Sequence, residues 1–434
     1  MVLSRLNLLP SNVTFKSQSL MRKLRGKTNL GQKINGAADH VFIFLEIFEC
    51  EGGIQSYVKD ILQAYLSLTS QTANSTTAEV FLLRDGSGCE NPFDVYPLKF
   101  HYLKAQVPLL GRIRFAGALL KCLWQRRPTH VFCGHIKLAP LTQLLCGAFG
   151  VPYTVLTYGK EVWERLPNGE RWALAASTAI WTISRYSRDR VCVANDLNVD
   201  KVQMLPCVVD GDTFTPGPKS PELMARYGLE GAKVLMTVAR LWSGDIYKGV
   251  DVTIRAIPAI AKVFPEVKYL VIGRGDDQPR LAQLAIDLGV SDRVIFAGFV
   301  PTPDLVEHYR LADAYIMPSQ EGFGIVYLEA MACGKPVLAG DADGSADPLQ
   351  DGRLGWQVPH RDPEAVAVAC IEILKGEDQR CHGQWLREQS LALFGKDALT
   401  QQLKQLLNAA AVSLTSTTSN SIQNHCSQVN PNLD

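Results

Sequence analysis

Tyr315-Ile316-Met317-Pro318-Ser319-Gln320-Glu321-Gly322-Phe323-Gly324-Ile325-Val326-Tyr327-Leu328-Glu329 reads as a strand, a glycine-bearing loop and the start of a helix. Glu321 closes the strand-to-loop segment. Gly322 and Gly324 then leave backbone amides exposed where the helix begins. Such an N-terminus attracts phosphate, because its first amides lack partners and its dipole is positive there. Glu329 falls inside the helix, beside Leu328, Ala330, Met331 and Ala332. A carboxylate in that company is costly without partners. Sugar or ribose hydroxyls would supply them. The competing reading is a surface Glu321 and a Glu329 paired with Lys335.

Outward from this unit, the same alternation of strand and helix fills the chain. Strands are predicted in the first half at His40–Phe48, Ala78–Leu83, Thr129–His135, Tyr153–Thr157, Ala179–Ile183 and Lys201–Val208. Helical patterns lie between several of them, such as Gln55–Leu68 and Arg112–Gln125. The second half repeats the theme at Lys233–Ala239, Lys268–Ile272, Val294–Ala297, Ala314–Pro318 and Pro336–Ala339. This pattern predicts an α/β chain of two Rossmann-like, doubly wound domains facing across a cleft. Glycine and proline cluster near Asp210–Ser220, which places an N-terminal domain at 38–212 and a C-terminal domain at 213–412. The last helix of the second domain is free to pack back on the first. Ligands in such sheets gather beyond the carboxyl ends of the strands.

Residues 1–37 carry seven Lys/Arg and no acid, and read as a mobile basic arm. The segment 413–434, rich in Ser, Thr and Asn, reads as a disordered tail. The chain has 434 residues and a net charge of +1, but residues 1–160 hold 18 Lys/Arg against 9 Asp/Glu. No acid stands between Asp94 and Glu161, where there are nine basic residues. That bias points to an anionic partner for the first half. The eleven cysteines are scattered without a C-x-x-C pair, and Cys133, Cys192 and Cys207 sit in apolar, strand-like runs. They read as buried thiols of a protein in a reducing cytosol, with no zinc site or other metal cluster. Residues 138–157 lack charge, but Pro140, Gln143, Gly150 and Pro152 punctuate them. A helix at Ala139–Phe149 followed by a strand fits better than a membrane span. The first twenty residues lack the continuous apolar core of a signal peptide.

Several strand ends carry polar groups. Arg240 ends Val234–Ala239, and Lys248 precedes the predicted helix Val250–Phe264. A planar fork and a point charge there suit a diphosphate, though each alone is also ordinary surface charge. Gly273-Arg274-Gly275 allows close backbone approach to a base or ribose. It is not a full G-x-G-x-x-G fingerprint, which argues against a nicotinamide dinucleotide, and no P-loop is present. Gly52-Gly53 follows the first strand, either as a plain turn or as backbone presented to a phosphoryl or sugar group. His135 ends the strand Val131–Gly134, and Tyr158-Gly159-Lys160-Glu161 ends the next. Two neighbouring polar strand ends make Tyr158 and Glu161 a candidate site edge.

Taken together, Arg240…Lys248-Gly249, Gly273-Arg274-Gly275, Ala297-Gly298-Phe299-Val300, Pro318–Gly324, Leu328-Glu329-Ala330 and Cys333-Gly334-Lys335-Pro336-Val337 resemble the retaining glycosyltransferases of family 4, which have the GT-B fold. The order covers nearly the whole second half. The first half is similar but looser, through Gly52-Gly53, His135 and Leu205-Pro206…Asp210…Phe214-Thr215-Pro216. The resemblance implies that Arg240 and Lys248 hold the diphosphate of a nucleotide-sugar donor and that Glu329 bonds its ribose. Phe299 and Val300 would lie near the base. Glu321, with the amides of Phe323 and Gly324, would orient the donor sugar, Gly53 would face the diphosphate, and His135 would contact the sugar near the reacting centre. It further implies a retaining, metal-independent hexosyltransferase that uses no cofactor beyond the donor. Two positions depart from the pattern. Tyr158-Gly159-Lys160-Glu161 stands where the family often has His-Gly-x-Asp/Glu, and Asp347 stands where it commonly has the glutamate of Gly-Gly-x-x-Glu.

The acceptor falls to the first half. Residues 99–127 mix basic residues (Lys99, Lys104, Arg112, Arg114, Lys121, Arg126, Arg127) with apolar ones such as Leu109, Leu110, Ile113, Phe115 and Trp124. Such a segment either lies on anionic lipid or is a domain helix with a solvated face. No motif accompanies it that would suit nucleic acid. The expectation is a cytoplasmic enzyme, peripheral on the inner membrane leaflet, acting on a lipid-linked or polysaccharide precursor. A sugar-nucleotide epimerase of similar fold, and a non-catalytic nucleotide-sugar sensor or membrane scaffold, are the alternatives.

Overall fold

The computed structural model describes residues 40–50, 52–70 and 77–410. The basic arm at 1–37 and the tail at 413–434 lie outside the described residues. Strands β1 (His40–Phe44), β2 (Ala78–Leu82), β3 (Leu98–Tyr102), β4 (His130–Cys133), β5 (Tyr153–Thr157), β6 (Ala179–Thr182) and β7 (Val202–Met204) form one sheet. Its order is β3-β2-β1-β4-β5-β6-β7, and every pairing is parallel. A second all-parallel sheet comprises β8 (Lys233–Val238), β9 (Val267–Ile272), β10 (Val294–Gly298), β11 (Ala314–Met317), β12 (Val337–Gly340) and β13 (Trp356–Val358), in the order β10-β9-β8-β11-β12-β13. The expected pair of doubly wound sheets is therefore present.

The central strands are apolar throughout because helices cover both faces of each sheet. Val41–Phe44 and all of β4, β5, β11 and β12 are buried. In each sheet the order reverses beside the first strand, between β1 and β4 and between β8 and β11. These switch points open the crevices in which ligands of such sheets sit.

The structure corrects several sequence readings. β1 stops at Phe44 rather than Phe48, because the buried Asp85 carboxylate takes the amides of Ile47, Phe48 and Glu49 at 2.6, 3.2 and 2.9 Å. Residues 99–127 are not one amphipathic segment: edge strand β3 precedes a separate helix, Pro108–Arg126. β3 was missed because Lys99 and His101 break its apolar run, and β13 because it spans only three residues. Cys192 lies in the helix Arg185–Asn195, not a strand. The cysteines among the described residues are free thiols.

The chain crosses back at its end. The amide of Val209 donates to the carbonyl of Phe394 at 2.9 Å, and residues 396–410 are helical. That helix buries Leu399 and Leu403, and Gln402 donates to the carbonyl of Met204 at 2.9 Å. Arg387 stitches the crossover by donating to the carbonyls of Gly211, Phe214 and Ala332.

Candidate active site

The 18-residue helix Gly53–Ser70 follows β1, and the helix Ile325–Ala332 follows β11. Each starts at the carboxyl end of a strand beside a switch point. Gly53 and Ile54 from the first, and Gly324, Ile325 and Val326 from the second, line one cavity of about 350 Å³. Lys248, Glu321, Gly322, Phe323 and Val238 from the second sheet, and Tyr57, Tyr158, Ile183 and Cys207 from the first, complete the lining. Two helix N-termini from different sheets thus converge on one space. Neither first turn carries an acid. Gly324 caps its helix with φ 93° and no side-chain hydrogen bond, so its first amides face the cavity side uncapped by any side chain. That arrangement is built for an anion. A Cβ on Gly53 would meet nothing within 4 Å, so this backbone is open to the cavity.

Lys248 and Glu321 form an ion pair inside this lining, with both side chains largely buried. The amide of Glu321 donates to Asp343, which also accepts the amide of Ser345 at 2.8 Å and the Ser345 hydroxyl. Burial pushes the Asp343 carboxyl up to about 6 against those hydrogen bonds. Asp343 therefore sets the backbone that carries Glu321, a task not legible in the sequence.

Arg240 lies apart from the cavity lining. Its side chain is 73% exposed, and its guanidinium pairs with the buried Asp245 at 2.9 Å, on the turn Ser243–Lys248 that also carries Lys248. Gly273 does not line the cavity either. Its φ is 138°, and a Cβ there would lie 1.8 Å from the carbonyl oxygen of Ala239. This glycine is required by packing of one strand-end loop on the next. Phe299 is exposed and lies under the Arg274 guanidinium, 4.7 Å from ring centre to Cζ, with Val300 buried beside it in sequence.

Glu329 has a hydroxyl partner instead of a cation. Tyr309 donates to its carboxylate at 2.6 Å, whereas Lys335 donates to the carbonyl of Arg310 at 3.0 Å. The expected Glu329–Lys335 alternative is therefore not what the structure holds. Burial raises the Glu329 pKa, and the Tyr309 hydroxyl opposes that.

On the N-terminal side, His135 stands outside the cavity lining, at the end of β4. Its Nδ1 accepts the amide of Lys137 at 3.1 Å, which leaves the proton on Nε2. Burial, with Arg84 and Lys137 nearby, lowers its pKa to about 4, so the imidazole is neutral at pH 7 and offers one N–H. The Tyr158 hydroxyl is already committed to the carbonyl of Gly134 at 2.7 Å. Glu161 turns inward: its carboxylate accepts the amide of Tyr158 at 2.5 Å and organises its own loop. Tyr158 thus contributes its ring to the site edge, and Glu161 only a fixed backbone. Gly52 sits one residue before the helix and accepts the amide of Ser56 at 3.0 Å.

Asp347 has a partner across the cleft. It accepts the backbone amide of Arg185 at 2.6 Å and its Nε at 2.5 Å, while Asp351 takes the two guanidinium NH groups at 3.0 and 2.7 Å. Its carboxylate is thereby used to tie the two sheets together. Lys160, which the sequence reading left without a role, lies with its ammonium 3.2 Å above the ring centre of Tyr247 on the opposite side of the cleft. Nothing in the sequence links positions 160 and 247. Among the described residues, no group of three or more His, Cys, Asp or Glu is arranged to hold a metal ion.

Comparison with known proteins follows the same lines. Residues 232–376 match the family model "Glycosyl transferases group 1". The chain is 35% identical over 232 residues to a GDP-mannose-dependent alpha-(1-6)-phosphatidylinositol monomannoside mannosyltransferase of Mycolicibacterium smegmatis, across 50% of this chain and 59% of that one. It is 31% identical over 292 residues to the Mycobacterium tuberculosis protein of the same description, covering 64% and 73% of the two chains. Among solved structures, Anabaena HepE in complex with UDP superposes with a TM-score of 0.69 at 18% identity, covering 86% of this chain and all of that one. That likeness concerns the fold alone.

Proposed function

This chain belongs to the group 1 glycosyltransferases, and on that premise we propose that it moves a sugar from a nucleoside diphosphate sugar to a hydroxyl of a membrane glycolipid. The observation that carries the donor side is the convergence of two helix N-termini, with Lys248 and Glu321 between them, on one cavity at the cleft. A departing diphosphate needs preorganised positive charge. The two N-termini and Lys248 line the cavity, and in this reading Arg240 joins them from outside the lining by leaving Asp245. In this reading Glu321 orients the donor sugar together with the amides of Phe323 and Gly324. Glu329 bonds the ribose, Phe299 and Val300 border the base, and Gly53 faces the diphosphate. His135 offers its Nε2–H to the sugar from the neighbouring strand end. The same positive charge supports a reaction that needs no metal. Retention of anomeric configuration, by departure and attack on one face, is taken from the family resemblance alone.

The acceptor side rests on the helix Pro108–Arg126. Its inner face buries Phe115, Leu119 and Leu123, yet Leu109, Ile113, Leu120 and Trp124 are 63, 60, 42 and 69% exposed along its outside. Arg112, Arg114, Lys121 and Arg126 flank this stripe. An apolar stripe with basic flanks suits the surface of an anionic membrane, here the cytoplasmic face of the inner leaflet. Beneath the start of this helix lies a cavity of about 990 Å³, lined in part by Arg84, Lys104, Arg112 and Lys137. These cations together with the lining carboxylates Glu46 and Glu49 suit a phosphate-bearing polyol, and the mannosyltransferase relatives are named for phosphatidylinositol monomannoside. Among the described residues no helix is long and apolar enough to cross a membrane.

The direct test presents UDP-, GDP- and ADP-sugars with phosphatidylinositol-type acceptors in anionic vesicles and follows labelled sugar into lipid. Transfer that survives a chelator and yields an α-linked product from an α-linked donor is expected. Tight donor binding with neither transfer nor hydrolysis would instead make the protein a nucleotide-sugar sensor.

A further inference from the structure

Lys160 stands in the loop after β5, and Tyr247 in the loop after β8. Both touch the loop after β11, and glycines permit the first of these contacts. A Cβ on Gly322 would lie 3.1 Å from the Tyr158 carbonyl oxygen, and one on Gly159 would lie 3.8 Å from the Gly322 Cα. Glu161 fixes the loop after β5 through the Tyr158 amide, and the backbone carbonyl of Tyr247 ties its turn to the loop after β11 by accepting the Gln320 amide at 3.1 Å. The Lys160 ammonium is thereby held beside the turn that carries Asp245 and Lys248, with Arg240 paired to Asp245. The Lys248 ammonium lies 5.4 Å from the same ring centre, so one ring carries a lysine from each sheet.

The charges here are unbalanced. Arg240 is paired with Asp245 and Lys248 with Glu321, whereas Lys160 makes no ion pair among the described residues and rests on the Tyr247 π face. A cation over a partly exposed ring is held more weakly than an ammonium hydrogen-bonded to phosphate. Arriving phosphate oxygens would therefore draw Lys160 off the ring. Burial lowers the Lys160 pKa, while Glu321 and Asp245 raise it and Lys248 and Arg240 lower it, which places all four charges within its reach.

We infer that Lys160 is a third cation for the donor's diphosphate, supplied from the N-terminal sheet and held ready on Tyr247 until the nucleotide arrives. This inference rests on the donor reading above. It gives the lysine at the open position of the His-Gly-x-Asp/Glu pattern a task, and it couples diphosphate binding to contact between the two sheets.

The test measures binding of UDP, GDP, UMP and GMP by calorimetry to the wild-type full chain and to Lys160→Met, Lys160→Arg and Glu329→Gln. Lys160→Met should weaken the better-binding diphosphate by about tenfold, the size expected for one charge-assisted contact, with the matching monophosphate changed by less than about twofold. Lys160→Arg should restore most of that loss, and both variants should melt like the wild type. Equal losses for mono- and diphosphate, or no loss for either, would overturn the role of Lys160. If Glu329→Gln weakens nucleotide binding while Lys160→Met does not, only the lysine assignment falls. A wild-type chain that binds no nucleoside diphosphate removes the donor reading and this inference together.

Discussion

Glu329→Gln separates stability from binding, because the two should change with opposite sign. In the ligand-free fold the Glu329 carboxylate accepts the Tyr309 hydroxyl at 2.6 Å, and burial raises its pKa. Its charged form is thus disfavoured by the fold at neutral pH. A raised folded pKa means that the native state takes up a proton before the unfolded chain does. Stability associated with this group therefore grows as pH falls through the raised value and is lower above it. Glutamine keeps an oxygen for Tyr309 and removes the buried charge, so the variant should gain stability, on the order of 1 kcal/mol. Binding moves the other way. Hydrogen bonds from two ribose hydroxyls to a carboxylate are charge-assisted and to an amide are not. The difference is about 2 kcal/mol, or roughly thirtyfold in Kd. Thermal melts of the ligand-free protein, with calorimetry of a nucleoside diphosphate and its 2′,3′-dideoxy analogue, read both effects. Affinity for the ribonucleotide should fall and that for the dideoxy analogue should barely move. A lower melting temperature, or equal losses for both ligands, would refute the reasoning.

Other outcomes follow from the same geometry. His40 and His130 are held neutral by burial, with pKa values lowered to about 4 and about 3, and bonded to Tyr65 at 2.9 Å and Thr154 at 2.8 Å. The unfolded chain takes up these protons below the unperturbed value of 6.5. Denaturant unfolding should therefore show full stability above that pH and a loss of up to about 1.4 kcal/mol per pH unit per histidine as pH falls toward 4, flattened in His130→Gln. Gly273→Ala should destabilise the C-terminal sheet by roughly 3 kcal/mol in urea titrations, since its Cβ has no room beside Ala239 and its φ is positive. Arg185→Ala should leave Asp347 and Asp351 without their cation, lower stability by up to about 1 kcal/mol given the exposure of the pair, and loosen the two sheets as read by small-angle scattering. Serine at Ile113 and Trp124 should release the protein from anionic vesicles in a sedimentation assay without changing the melting temperature, because both side chains are exposed.

The sequence by itself determined the secondary structure of the centre and the order of the strand ends. Runs such as Val234–Val238 and Tyr315–Met317 are apolar because they are buried on both faces, and that is a local property any reader of the chain can see. Gly322 and Gly324 before an apolar helix mark a strand–loop–helix unit within a few residues, which made Glu321 legible as a candidate, as the helix start after β8 did for Lys248 and the Gly52-Gly53 pair after β1 did for Gly53. Edge elements were not, since a strand with one neighbour tolerates Lys99 and His101 and loses its signal. Pairings between distant residues were not legible either. Sequence spacing fixes neither the meeting of the Gly53 and Gly324 helix starts, nor Asp347 on Arg185, nor Tyr309 on Glu329, nor Lys160 over Tyr247. Each is set by how the two sheets stack across the cleft and by the glycines that let their loops touch. Local periodicity encodes the elements. Only the tertiary structure decides which charges share a space, because Coulomb and hydrogen-bond energies depend on distances between residues that the chain brings together from far apart.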